Sequence, residues 1–150
     1  MSTFALDVSK FVAKATAAPA TVTRKVALDV LAKVVLRTPV GNPDNWASVK
    51  AGRAPPPGYV GGRLRANWNT SIGRGDFTTS KSTTDNAVRR GESRLRAYDG
   101  TQDIYLLNSL PYVRRIEYEG WSSQAKAGMV RITVAEFQTF VDKAVRSLPK

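Results

Sequence analysis

The sequence predicts an α+β fold: a small antiparallel sheet packed against several helices, with one long loop rich in proline and glycine. Three observations carry this expectation. Apolar residues recur three and four positions apart near both ends of the chain, which is the helical period. Short apolar stretches with turn residues on either side lie in the middle, at 64–72 and 103–108. Between these regimes, residues 38–62 hold five prolines and five glycines. The 150 residues suit one domain, and no second stretch looks able to form a separate core, so 1–150 is read as a single domain with 38–62 as a loop or arm within it.

The first helix is expected over Phe4–Ala17, because Phe4, Val8, Phe11, Val12 and Ala15 fall on one face. Ser2 or Thr3 would cap it, and Pro19 would stop it. A second helix, capped by Thr21, is expected over Val22–Arg37. Its stripe of Val26, Val30 and Val34, flanked by Ala27, Leu31 and Val35, is wide enough to demand burial. Its valines lower helix propensity, so packing must hold it. Thr38-Pro39 ends it, since a residue before proline avoids the helical region.

Residues Leu64, Ala66, Trp68, Thr70 and Ile72 alternate with polar neighbours, the period of a half-buried strand. Gly73, Gly75 and Asp76 make a turn, and Phe77–Thr84 reads as a second strand or a loop. A helix over Asn86–Ala97 follows, capped by Thr84 or Asp85. Its apolar stripe is thin, and Arg89, Arg90, Arg94 and Arg96 make its exterior basic. Asp103–Asn108 is a short strand. Pro111 begins a short helix through Tyr118, with Ser109 as cap and Gly120 as terminator. The last helix spans Gly128–Ser147 on the steps of Val130, Val134, Phe137, Val141, Val145 and Leu148, and a strand over Val130–Val134 is the rival for its first turn.

Composition narrows function. With 42% hydrophobic residues, the chain differs from the weakly hydrophobic, highly charged disordered class. No run reaches the roughly 18 apolar residues of a membrane helix, so no membrane association is expected. Met1–Lys10 contains Asp7 and lacks a basic lead into an apolar run, so it is not read as a secretory signal. The absence of cysteine and histidine removes thiolate nucleophiles, the usual zinc sites and imidazole acid–base chemistry. No enzymatic activity, cofactor or metal is expected. The net charge of +11 favours nucleic acid, an acidic protein surface or anionic lipid as partner, against the plain alternative of a soluble basic surface. Arg74-Gly75-Asp76 reads as a turn rather than an adhesion tripeptide. Gly61-Gly62 has no phosphate-loop pattern, and Asp99 with Asp103 offers too few oxygens for a cation.

Taken in order, five pieces resemble a known family. They are Thr38-Pro39-Val40, Gly62-Arg63-Leu64-Arg65-Ala66-Asn67-Trp68, the run Ile104–Tyr112, Glu117-Tyr118-Glu119-Gly120-Trp121-Ser122, and Gln124-Ala125 with Gly128-Met129-Val130. Together they look like the tail-completion, or neck, family of tailed bacteriophages, over about Val22–Val145. The resemblance implies a virion structural protein, assembled in the host cytoplasm, that forms a homo-oligomeric ring at the head–tail junction. Its implied neighbours are connector or adaptor proteins on one side and tail-terminator or tail-tube proteins on the other. The ring would leave a channel through which double-stranded DNA passes without base recognition. No catalytic residues carry over. The alternative is a free basic DNA-binding protein using Arg89–Arg96, and a carboxylate-only hydrolase built on Glu117 and Asp103 is a third reading. One departure from the family pattern is the insertion Gly41–Gly61, where many members pass directly to Asp-Thr-Gly-Arg.

Two sets of candidate residues follow. Trp46, Tyr59, Tyr112, Glu117, Tyr118 and Trp121 are interface candidates, because aromatic rings with a polar edge serve both cores and subunit contacts. Glu117 would pair with Arg114 or Arg115, or accept backbone hydrogen bonds in the turn. Arg53, Arg63, Arg65, Arg89, Arg90, Arg94 and Arg96 are DNA-channel candidates. They belong to a region, 37–96, with eleven Lys or Arg against four acids.

Overall fold

The computed structural model describes residues 3–149, with side chains from residue 18 onward. Helix α1 (Thr3–Arg37) is the spine. The short helices α2 (Ala47–Lys50) and α3 (Arg63–Ala66) follow, then strand β1 (Asn69–Ile72), α4 (Ala87–Leu95), strand β2 (Ile104–Leu107), α5 (Val113–Tyr118), α6 (Val130–Ala135) and α7 (Phe137–Arg146). The strands pair antiparallel from Asn69↔Leu107 to Ile72↔Ile104. This is the expected α+β arrangement. No helix among the described residues is long and apolar enough to cross a membrane.

The two N-terminal helices expected on either side of Pro19 are one helix. A proline inside a helix removes one hydrogen bond and costs about 3 kcal/mol. Pro19 itself is exposed, while the next residue, Ala20, is buried and Val22 packs on the core. Packing of these turns offsets the missing bond. The Thr23 hydroxyl also donates to the Pro19 carbonyl at 2.9 Å, so Thr21 caps nothing. Ser2 and the side chains of the Phe4–Ala15 stripe and of Thr3 lie outside what is described.

Two cores share α1. The larger joins Leu31, Val34 and Val35 to Leu64, Trp68, Leu110, Ile116 and Met129. The smaller joins Val26 to Phe140 and Ala144 of α7, with Val22, Val30 and Val141 beside them. Helix α4 lies across α1 and β1. It crosses closely because Gly91 has no side chain: a Cβ there would overlap Leu31 Cδ2 and stand 2.8 Å from Thr70 Oγ1.

Two further expectations are corrected, and one open alternative is resolved. The alternation over 64–72 is a helical turn followed by a shorter strand. Leu64, Ala66 and Trp68 are buried all the same, because the core closes over α3 from several sides. Of the two readings of Phe77–Thr84, strand or loop, the loop is the one observed. The single C-terminal helix is two helices that meet at Glu136, whose φ of −93° and ψ of 5° leave the helix. Consequently Val134, Phe137 and Val145 of the expected apolar stripe are exposed, and Phe140, Val141 and Ala144 do the packing. The strand alternative for Val130–Val134 is also overturned, since this segment is α6. Caps differ as well. Asn86 precedes α4 and Tyr112 precedes α5, each without a side-chain cap bond, so Thr84, Asp85 and Ser109 do not cap them.

Candidate functional site

The corner from Asn108 to Met129 is organised by one carboxylate. Glu117 is buried. Its Oε2 accepts the N–H groups of Met129 at 2.6 Å and Val130 at 2.9 Å. Its Oε1 accepts the N–H of Arg131 at 2.9 Å and the Arg131 Nε at 3.3 Å. The first turn of α6 has orphan N–H groups pointing along its axis, and Glu117 supplies their acceptor from outside the helix. Arg131 also donates to the Glu117 carbonyl. Burial alone would raise the Glu117 pKa, but the three backbone donors and the guanidinium outweigh it and hold the carboxyl below its ordinary range. The approach requires Gly128, which has φ +85° and where a Cβ would stand 2.6 Å from Oε1. Glu117 thus works within the chain, and its partner is Arg131, not Arg114 or Arg115. Of the readings considered, acceptance of backbone hydrogen bonds is the one observed.

The two aromatic residues flanking this corner face outward. Tyr118 and Trp121 are 64% and 63% exposed. Each carries a guanidinium over its ring: Arg131 lies 5.1 Å from the Tyr118 centroid and Arg115 lies 4.8 Å from that of Trp121. Such pairs favour a fixed ring orientation. Tyr112 instead packs against the larger core, where burial raises its hydroxyl pKa.

The Pro/Gly-rich segment folds on itself. Trp46 and Tyr59 meet edge-to-face with centroids 4.8 Å apart. The segment is tied to the corner where Gln124 Nε2 donates to the Val40 carbonyl at 3.0 Å. Beyond this base every residue from Ala51 to Val60 is exposed, and Arg53 stands in that stretch.

The seven arginines proposed to face DNA divide into two groups. Arg65 donates to the Thr38 carbonyl at 2.9 and 3.1 Å and to the Leu36 carbonyl at 3.2 Å, closing the C-terminus of α1. Arg63 donates to the Ser80 carbonyl at 2.9 Å. Arg90 donates to the carbonyls of Ala66 at 2.9 Å and Trp68 at 3.1 Å. These three hold the fold together, although Arg63 and Arg90 are exposed as well. Arg53, Arg89 and Arg94 are exposed, as is Arg96, which makes only an exposed i,i+4 pair with Glu92.

Sequence reasoning missed three polar residues that hold the central segment. Thr38 accepts the Trp68 indole N–H at 2.8 Å and donates to the Val34 carbonyl at 2.6 Å. Asn67 exchanges hydrogen bonds with the backbone of Ser80 at 2.7 and 3.1 Å. Asn69 donates to the Thr78 carbonyl at 2.7 Å. Their partners are mostly main-chain atoms, which no side-chain pattern reveals.

No family model matches the chain, and neither a curated protein nor a solved structure matches it.

Proposed function

We propose that the chain is a structural, non-catalytic subunit of a tailed-phage virion: a tail-completion or neck protein that assembles with copies of itself into a ring at the head–tail junction and leaves a channel for DNA. The observation that carries this reading is the outward-facing surface beside the Glu117 corner. Tyr118 and Trp121 stand there with arginines stacked on them, and Val134 and Phe137 are 58% and 49% exposed on α6 and α7. Arg37 bonds to Thr133 and Glu136, which ties the end of α1, where Leu36 is exposed, to the junction of α6 and α7. Exposed apolar side chains grouped in this way mark interaction surfaces, and Trp, Tyr and Arg are the residues most enriched at interface hot spots. The ordered pieces from Thr38 to Val130 that resemble the neck family supply the kind of assembly. In this reading connector or adaptor proteins and tail-terminator or tail-tube proteins meet the ring's two faces, and the projecting 38–62 arm reaches one of them.

Light scattering and negative-stain imaging of the purified chain, with mass spectrometry of intact virions, test this. A closed ring, or the chain in the neck of a particle, is expected. A protein that stays monomeric at every concentration and is absent from virions sinks the idea. The alternative, a free duplex-binding protein, draws on the exposed Arg89, Arg94 and Arg96 of α4, and tight salt-sensitive DNA binding by such a monomer would favour it.

A further inference from the structure

A cleft of about 470 Å³ opens between α4, β1 and the loop that follows β1. Apart from Ala66, its lining is made of amides, hydroxyls, two guanidinium groups and one carboxylate. An apolar ligand has nothing to bury against there. The far wall is built rather than loose. Asn67, Asn69 and Arg63 bond the backbone of Thr78 and Ser80, so the loop's hydroxyls are presented from a fixed position.

The charge in the cleft comes from α4. Arg90 is locked by the carbonyls of Ala66 and Trp68 and by Asn86. Arg94, one turn further on, lies on the same side of the helix and is exposed. The carboxylate, Asp76, is already engaged by the N–H of Thr78 at 3.0 Å and its hydroxyl at 2.7 Å. Two cations therefore face one committed anion. Arg90 and Arg94 also line a shallow groove that continues along α4 past Arg89. A closed pocket for a small anion would end at the cleft, whereas this cationic track runs on.

We propose that the cleft binds a phosphate group of a nucleic-acid backbone, with Arg94 as the pairing cation, Arg90 as a fixed positive neighbour and the hydroxyls of Thr79, Ser80 and Ser82 as hydrogen-bond donors, the strand continuing along the Arg89 groove. This goes deeper than the DNA-channel reading and rests on it for the source of the phosphate. Phosphate contacts of this kind carry affinity without sequence preference.

The test is fluorescence anisotropy of a labelled duplex with the full chain, across a salt series, for wild type and three variants. Arg94→Gln removes the cation. Thr79→Glu places a carboxylate at the cleft wall without touching α4. Arg96→Gln removes one charge from the same helix outside the cleft. Arg94→Gln and Thr79→Glu are each expected to weaken binding on the order of threefold to tenfold, and Arg94→Gln to lower the salt slope by about one. Arg96→Gln should stay within about twofold, since Arg96 lines neither the cleft nor the groove. Equal weakening by Arg94→Gln and Arg96→Gln overturns the cleft while leaving a DNA channel intact. A parallel titration with inorganic phosphate, followed by amide shifts of Ser80 and Arg94, separates the source. Shifts with phosphate but no duplex binding support the phosphate site and remove DNA as its ligand. Neither shifts nor duplex binding removes both.

Discussion

The indole N–H of Trp68 ends on the hydroxyl of Thr38, 2.8 Å away, where neither residue has meaningful contact with solvent. The same hydroxyl donates to the Val34 carbonyl, and the Thr38 carbonyl takes two bonds from Arg65. One threonine thus closes α1, orients the largest side chain of the core and seats α3. Thr38→Val keeps the shape and deletes the hydroxyl, leaving the buried indole N–H without its acceptor. We expect a loss of about 1–3 kcal/mol in urea unfolding, with an unchanged m-value. A loss under about 0.5 kcal/mol would contradict the role given to this bond.

Glu117 gives the chain an acid limit. Its folded-state pKa lies below the ordinary glutamate value, so the folded state holds the proton less tightly than the unfolded chain. The stability it contributes is present in full above the unfolded value of about 4.3 and is lost as pH falls through the lower, folded pKa. Unfolding followed from pH 7 to pH 2.5 should show this decline. Glu117→Gln should lower stability at pH 7 by about 1.5–3 kcal/mol and flatten the acid limb. An acid limb as steep in the variant as in wild type would assign it to other carboxylates.

Gly91→Ala sets helix propensity against packing. Alanine favours a helix interior by about 1 kcal/mol, but its methyl would overlap Leu31 Cδ2. Overpacking costs typically about 1–3 kcal/mol, so a lowered melting temperature is the expected outcome. A raised one would mean that α4 and α1 can separate without cost.

Trp121→Ala and Tyr118→Ala separate assembly from folding. Both rings are mostly exposed, so each variant should unfold within about 0.5 kcal/mol of wild type. Self-association, measured by sedimentation, should weaken on the order of tenfold or more if the rings are interface anchors. The size of Trp121 alone suggests that its removal harms the fold, but its exposure removes that argument. Unchanged association in both variants would shift the contact surface elsewhere.

Limited trypsin digestion reads the arm. Lys50 and Arg53 lie on its exposed part, past the Trp46–Tyr59 contact, so the first cuts in the isolated chain should fall there. The two fragments should stay associated. Protection of these sites in assembled particles and not in free subunits would place the arm against a neighbour. Equal resistance in both would count against that role.

Much of the fold is legible in the sequence because burial follows apolar spacing where a helix packs along its length. Val26, Leu31, Val34 and Val35 are the clearest case. The pattern misleads where elements are short. Leu64, Ala66 and Trp68 alternate like a strand, yet a single helical turn buried from several sides hides the same positions. At the C-terminus, the turn at Glu136 shifts the phase of the apolar stripe, so Phe140 goes in while Val134 and Phe137 stay out. The basic residues mislead for another reason. Arg63, Arg65 and Arg90 look like surface charge, but they donate to main-chain carbonyls, and a carbonyl exists at every position whatever the residue. The polar cleft was illegible on the same ground, since Asn67 and Asn69 bond backbone atoms thirteen and nine residues away only after the loop has folded back.

The contact of α1 with α7 sets the order in which this protein can be made. Val26 belongs with Phe140 and Ala144, and Lys25 bonds the Ser147 hydroxyl across 122 positions of sequence. A nascent chain that has emerged as far as α4 has released α1 but nothing to cover the Val22–Val30 face. That face must wait, exposed to water and to other nascent chains, until α7 has been translated and has emerged. Nonsense fragments ending before Phe140 should therefore accumulate as aggregates or be degraded, and the smaller core acts as a built-in check that α7 has been made.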